Sequence, residues 1–422
     1  MIEPFTTNSR FFHYRKGELL AENVHIMDIV SDYGTPTYIY SSAAILDTFN
    51  GYKKGLSGIP HIIAYAVKAN GNLSIIKLLA DHGAGADLTS AGELYLAQKS
   101  GIPADKMVLS GVGKTDAEIE MALDAGILMF NVESEAELEN IARIANNLNR
   151  TAPISLRVNP DIDAKTHPKI STGLREHKFG VPWEDALELY QKAAAMDCFE
   201  IRGISAHIGS SLQDVTPLLQ ALDRILGLRN TLKEKGIKIE YVDIGGGLGI
   251  RYQDEEPALP EDYAARLKEK VKDSGITLIV EPGRSIVGNA GILVSQVQYV
   301  KRTEDRTFVV IDAGMNDLAR PAIYGAYHRI VPVQLNSDER EVVDVVGPIC
   351  ESSDVFGRHR DLPPLANGNL LAICSAGAYG FSMASHYNGR VKPAEVLVKD
   401  DKYYLVRKRE ELEELIKNQV IY

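Results

Sequence analysis

From Ile62 onward the chain repeats one unit: a short apolar run, a Ser or Thr, an amphipathic stretch, then a glycine before the next run. The first four runs are IIAYAV from Ile62, GADL around Asp87, KMVLSG from Lys106 and LMFNV from Leu128. Their length and polar bounds are those of strands. Between them, Ser90 with Glu93, Thr115 with Glu118 and Ser134 with Glu137 match the S/T-x-x-E capping box, in which two side chains satisfy backbone donors at a helix start. Strand then helix is therefore the predicted unit. Four more runs follow at wider spacing: ISLRVNP from Ile154, IRGISAH from Ile201, YVDIGGG from Tyr241 and TLIVEPG from Thr277. Eight strand–helix units over roughly 225 residues suit a (β/α)8 TIM-type barrel, typically about 250 residues long, with an open doubly wound sheet as the competing layout.

After Gly291 the texture changes to alternating, β-branched runs such as GILVSQVQYV, RTFVVIDAG, EREVVDVVG and YYLVRK, with turns between them. That pattern predicts an antiparallel β domain. TPTYIYS, Thr35 to Ser41, is also strand-like but precedes the barrel, so the N-terminal segment is expected to join the β domain. The predicted division is an N-terminal segment over 1–49, a barrel over 50–285 and a β domain over 286–422. The tail REELEELIKN reads as a short, charged, solvated helix.

Composition narrows the function classes. At roughly 100–200 residues per domain, 422 residues imply two or three domains. Hydrophobic residues at 45% and charged residues at 24% exclude wholesale disorder. Three cysteines, Cys198, Cys350 and Cys374, are too few for a disulfide framework, and MIEPFTTNSR is not a basic-then-apolar leader. With no apolar run of about 18 residues, a reducing cytoplasm is expected and a membrane is not. No HExxH or CxxC supports a metal site. Asp plus Glu number 57 against 46 Lys plus Arg, and the resulting −11 argues against nucleic acid as a partner. Cations that matter here must be gathered locally.

In a barrel, chemistry sits at the C-terminal strand ends. The first run delivers Lys68, in AYAVKAN, and alternation places it on one face with Ala64 and Ala66, leaving room for a bulky group. A partly desolvated amine has a lowered pKa and can form a Schiff base. The seventh run enters GGGLG, with Gly245, Gly246 and Gly247, and the eighth enters EPGR, with Glu281, Pro282, Gly283 and Arg284. Barrels often bind phosphate after strands seven and eight, where glycines let backbone N–H groups approach an anion. An amine facing a phosphate cradle suggests pyridoxal phosphate, with Glu281 as the carboxylate for its pyridine nitrogen. His207 and Ser210, in SAHIGSS, could supply a stacking imidazole and a hydroxyl for the phosphate.

At this point the motifs reach a family. YAVKAN, SAHIGS, GGGLGIRY, EPGRSIVGNAG, DAGMNDLARPAIYGAYH, GPICESSD and SAGAYGFSMASHYN together resemble diaminopimelate decarboxylases, pyridoxal-phosphate enzymes of the alanine-racemase-like fold. The resemblance spans nearly the whole chain. EPGR and the lysine strand are shared with ornithine and arginine decarboxylases, whereas DAGMNDLARPAIYGAYH and STGLREHKFG point to the diaminopimelate branch.

The resemblance implies Lys68 as the Schiff-base lysine, His207 stacked on the ring and Glu281 at the pyridine nitrogen. Asp87, Ser210, Gly245 to Gly247 and the EPGR turn would complete the cofactor site. Arg284, Arg320 and Tyr324 would grip the substrate's distal carboxylate, Glu351 its distal ammonium, and Tyr379 both cofactor phosphate and substrate. Cys350 would be the proton donor, entering with Glu351 from the partner subunit of a homodimer. Ser353 departs from the glycine expected there and alters backbone freedom beside Cys350. The implied reaction converts meso-2,6-diaminopimelate to L-lysine and CO2. An ornithine- or arginine-type decarboxylase fits Arg284 and Arg320 less well, because those substrates lack a distal carboxylate. A racemase would need a base on each face, and a non-catalytic regulatory homologue would be expected to have lost Lys68 or Cys350. STGLREHKFG, Ser171 to Gly180, is a possible active-site lid.

Overall fold

The computed structural model describes residues 7–162 and 178–422. Its first strand within a large sheet is β1 (Thr37–Ser41), followed by eight strands at the apolar runs: β2 (His61–Ala66), β3 (Gly85–Leu88), β4 (Met107–Leu109), β5 (Met129–Val132), β6 (Ala152–Asn159), β7 (Phe199–Ser205), β8 (Tyr241–Asp243) and β9 (Thr277–Val280). Each pairs in parallel with its successor, and β9 returns to β2, closing the (β/α)8 barrel. Closure leaves no open edge between β2 and β9.

The helix starts show how polar residues between the runs fix strand positions. Thr115 and Glu118 form a full capping box. At Ser90 and Ser134 the hydroxyl accepts the Glu93 and Glu137 N–H groups as expected. Their carboxylates, however, reach one residue further upstream, accepting from the N–H groups of Thr89 at 2.6 Å and Glu133 at 3.1 Å. At Ser90 and Ser134 capping thus ties the helix start to the residue that follows the preceding strand.

One sequence expectation fails locally. β2 stops at Ala66, and Val67–Ala69 forms a single 3-10 turn that carries Lys68. The turn is held by the Asn70 N–H on the Val67 carbonyl at 3.1 Å and by the Tyr65 hydroxyl on the Asn70 carbonyl at 2.9 Å. Strand alternation therefore does not extend to Lys68. Ala66 instead gives room to the EPGR turn: a Cβ on Gly283 would lie 3.0 Å from those of Ala66 and Ala69.

Two compact units divide the chain. One holds Thr48–Gly249 and Glu256–Ser285; the other gathers the chain up to Asp47, Ile250–Glu255 and Ile286–Tyr422. The short segment Ile250–Glu255, inside the predicted barrel range, thus packs with the β unit. The long sheet of that unit runs Val355–Leu362, Glu341–Val346, Thr307–Ile311, Gly291–Arg302, β1, Ala394–Lys399 and Lys402–Arg407. β1 does join it, paired on both edges. The sheet is mixed rather than antiparallel, because Thr307–Ile311 pairs in parallel with Glu341–Val346, as does β1 with Ala394–Lys399. Both pairs are joined by long connections, which permit parallel pairing where a tight hairpin does not. Leu19, Ile26, Ile29, Ile39, Ile292, Val294, Val331 and Val396 form its core. The tail makes only a 3-10 turn at Leu412–Leu415, because a short acidic stretch without a packing face does not sustain a helix. Among the described residues no helix is long and apolar enough to cross a membrane.

Candidate active site at the barrel mouth

The 3-10 turn after β2 turns the Lys68 amine onto Asp87 of β3, whose carboxylate it meets in an ion pair. Lys68 keeps 40% of its side-chain surface exposed while Asp87 is fully buried. Asp87 Oδ1 has no hydrogen-bond partner, and neither has Glu281 Oε1 just past β9. Glu281 shares a hydrogen bond with Asp243 at the end of β8. Asp243 accepts from the Gly245 N–H at 2.9 Å and from Asn131 Nδ2 of β5 at 3.1 Å. Three carboxyl groups are therefore buried near one lysine.

Burial, then the negative charges of Asp243 and Asp87, push the Glu281 carboxyl well above the usual carboxylate range, and burial lifts Asp243 to about 6. A carboxyl raised by folding makes the native chain hold more protons than the unfolded one, so its contribution to stability falls as pH rises through the interval between unfolded and folded values. In ligand-free protein, Glu281→Gln should therefore raise Tm relative to wild type at about pH 8 and leave it nearly unchanged at about pH 5. Each kcal/mol of relieved charge burial corresponds to about 2–4 °C in a domain this size. Thermal scans at the two pH values check this; an equal difference at both would contradict a buried, titrating carboxyl.

His207 follows β7, and its Nδ1 accepts from the Gly246 N–H at 3.2 Å, which puts the neutral ring's proton on Nε2. Burial first, then the nearby charges of Arg157 and Lys68, hold the imidazole well below its usual range, so it is neutral at pH 7. The glycine loop is demanded by close approach. Gly245 has φ +70° and a Cβ there would lie 2.6 Å from His207 Nδ1; one on Gly246 would lie 2.4 Å from the Glu281 carbonyl. Opposite the loop, Arg284 donates from Nη2 to the Ser210 hydroxyl at 3.2 Å. Pro282 and Gly283 are buried in the turn between. The structure thus brings Lys68, Asp87, His207, Ser210, Gly245 to Gly247, Glu281 and Arg284 to the C-terminal ends of the barrel strands.

Other residues of this mouth went unnoticed in the sequence. Arg157 on β6 pairs with buried Glu133 at 3.0 Å and lies over the Phe179 ring, and Lys114 is sunk onto Glu137 at 2.6 Å. Asn131 and Asp243 are 112 residues apart, and only barrel closure joins them. The available signal was position: Asp243 ends the apolar run YVD, where an unneeded acid is costly.

The remaining predicted residues belong to the β unit. Arg320 opens the short helix Arg320–Tyr324 and is buried, and half-buried Tyr324 closes it. Tyr379 sits in SAGAYGF at a left-handed φ of +55°, a strained backbone of the kind concentrated at functional loops. Cys350 and Glu351 are exposed on a loop that two consecutive residues hold: Asn388 Oδ1 accepts the Cys350 N–H, and the Tyr387 hydroxyl donates to Glu351, each at 2.9 Å. In the predicted lid, residues 171–177 lie outside the described residues.

Comparison with known proteins agrees with this geometry. Residues 42–288 match the family model for the pyridoxal-dependent decarboxylase, pyridoxal binding domain. A diaminopimelate decarboxylase of Aquifex aeolicus is 48% identical over 408 residues, covering 96% of each chain. The M. jannaschii diaminopimelate decarboxylase structure, in complex with L-lysine, superimposes with TM-score 0.94 at 40% identity over 99% of each chain. The Helicobacter pylori enzyme, also complexed with L-lysine, gives 0.90 at 44% identity, covering 93% of this chain and 98% of that one. With nearly half its residues shared over almost its full length, the chain belongs to the diaminopimelate decarboxylase family.

Proposed function

We propose that this chain is a cytoplasmic, homodimeric enzyme that decarboxylates meso-2,6-diaminopimelate to L-lysine and CO2 at the barrel mouth, the closing step of lysine biosynthesis, with pyridoxal 5'-phosphate. The observation that carries the reading is the pair of partnerless buried carboxylate oxygens, Glu281 Oε1 and Asp87 Oδ1, beside Lys68 and a glycine loop that tolerates no side chain. Buried acceptors call for a donor, and Glu281 would hold the cofactor's pyridinium N–H. The phosphate suits the N–H groups of Gly245 to Gly247 with Ser210, the EPGR turn and Tyr379. Bound there, the cofactor would supply an electron sink for the bonding pair that CO2 leaves behind on the carbon.

The chain's own groups do the rest. The Lys68 ammonium must lose a proton before its nitrogen can attack, and the Asp87 carboxylate it already touches is the nearest acceptor. Neutral His207 offers an uncharged ring face for stacking, and its Nδ1 bond to the glycine loop fixes the ring's orientation. Arg284, Arg320 and Tyr324 take the distal carboxylate, since a guanidinium matches a carboxylate with two parallel donors. Glu351 takes the distal ammonium. Cys350, supplied with Glu351 by the partner subunit, returns a proton to the carbon that lost CO2. Arginines left unpaired by a substrate without that carboxylate give strong discrimination.

Purified protein incubated with pyridoxal phosphate should release CO2 and L-lysine from meso-diaminopimelate and give little or no CO2 from ornithine or arginine. Turnover of ornithine with none of diaminopimelate overturns the reading.

A further inference from the structure

The motif DAGMNDLARPAIYGAYH ends in a histidine that no role above uses. His328 is fully buried in the β unit. Its Nδ1 lies 2.9 Å from the Cys374 carbonyl and its Nε2 lies 2.9 Å from Arg320 Nη1. A guanidinium has donors only, so Nε2 must accept and the ring proton must sit on Nδ1, donated to the carbonyl. The third member is Tyr252, from the segment Ile250–Glu255. Its ring centroid is 4.7 Å from the Arg320 guanidinium carbon, and its ring meets the imidazole edge-on at 5.4 Å. Asn8 Nδ2 holds the Tyr252 carbonyl at 2.8 Å.

These contacts differ in kind and together leave the guanidinium little freedom. The imidazole fixes one nitrogen by a directional bond, and the Tyr252 ring attracts the cation without occupying its donors. Because the carbonyl accepts from Nδ1–H, the neutral ring presents Nε2 as an acceptor to Arg320; a bond on the far side of the ring sets the tautomer much as it does at metal-bound imidazoles.

We infer that His328 is a positioning residue for the substrate's distal carboxylate: it accepts from Arg320 Nη1, and so orients the rest of the guanidinium fork toward that carboxylate. The inference rests on the proposed role of Arg320. Decarboxylation at one end leaves the other carboxylate on the product, so L-lysine reads the same contact without any chemical step, whereas 1,5-diaminopentane lacks it.

The test uses holoenzyme and four proteins: wild type, Arg320→Ala, His328→Phe and the double variant. Phenylalanine keeps the ring volume without the acceptor. Loss of one hydrogen bond to a charged group corresponds to on the order of tenfold, so His328→Phe should raise KM for diaminopimelate and the inhibition constant of L-lysine by about that factor. Most of the loss should appear in KM rather than kcat, and the inhibition constant of 1,5-diaminopentane should not move. Arg320→Ala should raise both constants on the order of a hundredfold, and adding His328→Phe to it should change neither further. His328→Gln, which retains an acceptor, should recover part of the affinity. If His328→Phe does not fold, His328→Asn, too short to reach Arg320, replaces it in the same comparison.

An L-lysine constant unchanged in Arg320→Ala overturns the role of Arg320 itself. A hundredfold effect of Arg320→Ala with none of the histidine variant overturns only the inference. So does an equal effect of the histidine variant with and without Arg320, which marks a purely structural residue.

Discussion

Lys68→Ala is expected to lower turnover by more than about a thousandfold, because it removes both the nucleophile and a proton carrier. It should also abolish the visible absorbance that pyridoxal phosphate acquires when joined to a protein amine. The variant leaves Asp87 buried without its cation, and an unpaired buried charge destabilises even when its lost partner was partly exposed. Lost activity alone would therefore be ambiguous. Lys68→Arg separates the two effects: a guanidinium still pairs with Asp87, yet stays protonated and cannot attack a carbonyl. It should melt close to wild type and be nearly as inactive as alanine. Retention of the visible band in either variant, with turnover within tenfold of wild type, rules out Lys68 as the nucleophile.

Cys350→Ala should behave differently. The side chain is exposed, and the backbone N–H that Asn388 holds survives the substitution, so stability should change little. The visible band should persist while kcat drops by about 10²–10⁴, the usual contribution of a general acid. Undiminished turnover would remove Cys350 as the proton donor. Mixing Lys68→Ala with Cys350→Ala subunits adds a test of the shared site. After random exchange, half the dimers are hybrids and each hybrid holds one intact site of two, so about a quarter of wild-type activity should return. No recovery, with exchange demonstrated by mass, would place Cys350 in the same subunit as the Lys68 it serves, or outside the chemistry.

How much of this could be read beforehand depends on whether the signal was local. All eight barrel strands lie at the apolar runs, because each run is short and, after the first four, a side-chain cap at Asn72, Ser90, Thr115 or Ser134 starts the next helix. The path from Ala66 to Lys68 was misread because alternation says nothing about where a strand ends; the bonds of Asn70 and Tyr65 decide that. Parallel pairing in the β unit escaped for a related reason, since β-branched alternation reports a half-buried strand but not the direction of its neighbour. Glycines, Lys68 and Glu281 were legible as single residues at strand ends. Glu133 with Arg157, Asn131 with Asp243, and His328 with Arg320 were not, because each acquires meaning only from a partner that folding supplies.

β1 has a consequence for synthesis. All five of its residues are buried, and its edges are taken by Gly291 and its successors on one side and by Ala394 to Val398 on the other. On the ribosome, β1 emerges before the barrel strands, and the strand that covers its second edge emerges after all of them. Until Gly291 and Ala394 emerge it is a strand with open hydrogen-bonding edges, the kind that recruits neighbouring chains. The barrel strands can pair in order as they appear, whereas the unit carrying Arg320 and Cys350 is finished only after Ala394–Lys399 has emerged. A nascent chain stalled before Ala394 should therefore hold a formed barrel and an aggregation-prone β1, with chaperone demand concentrated on that strand.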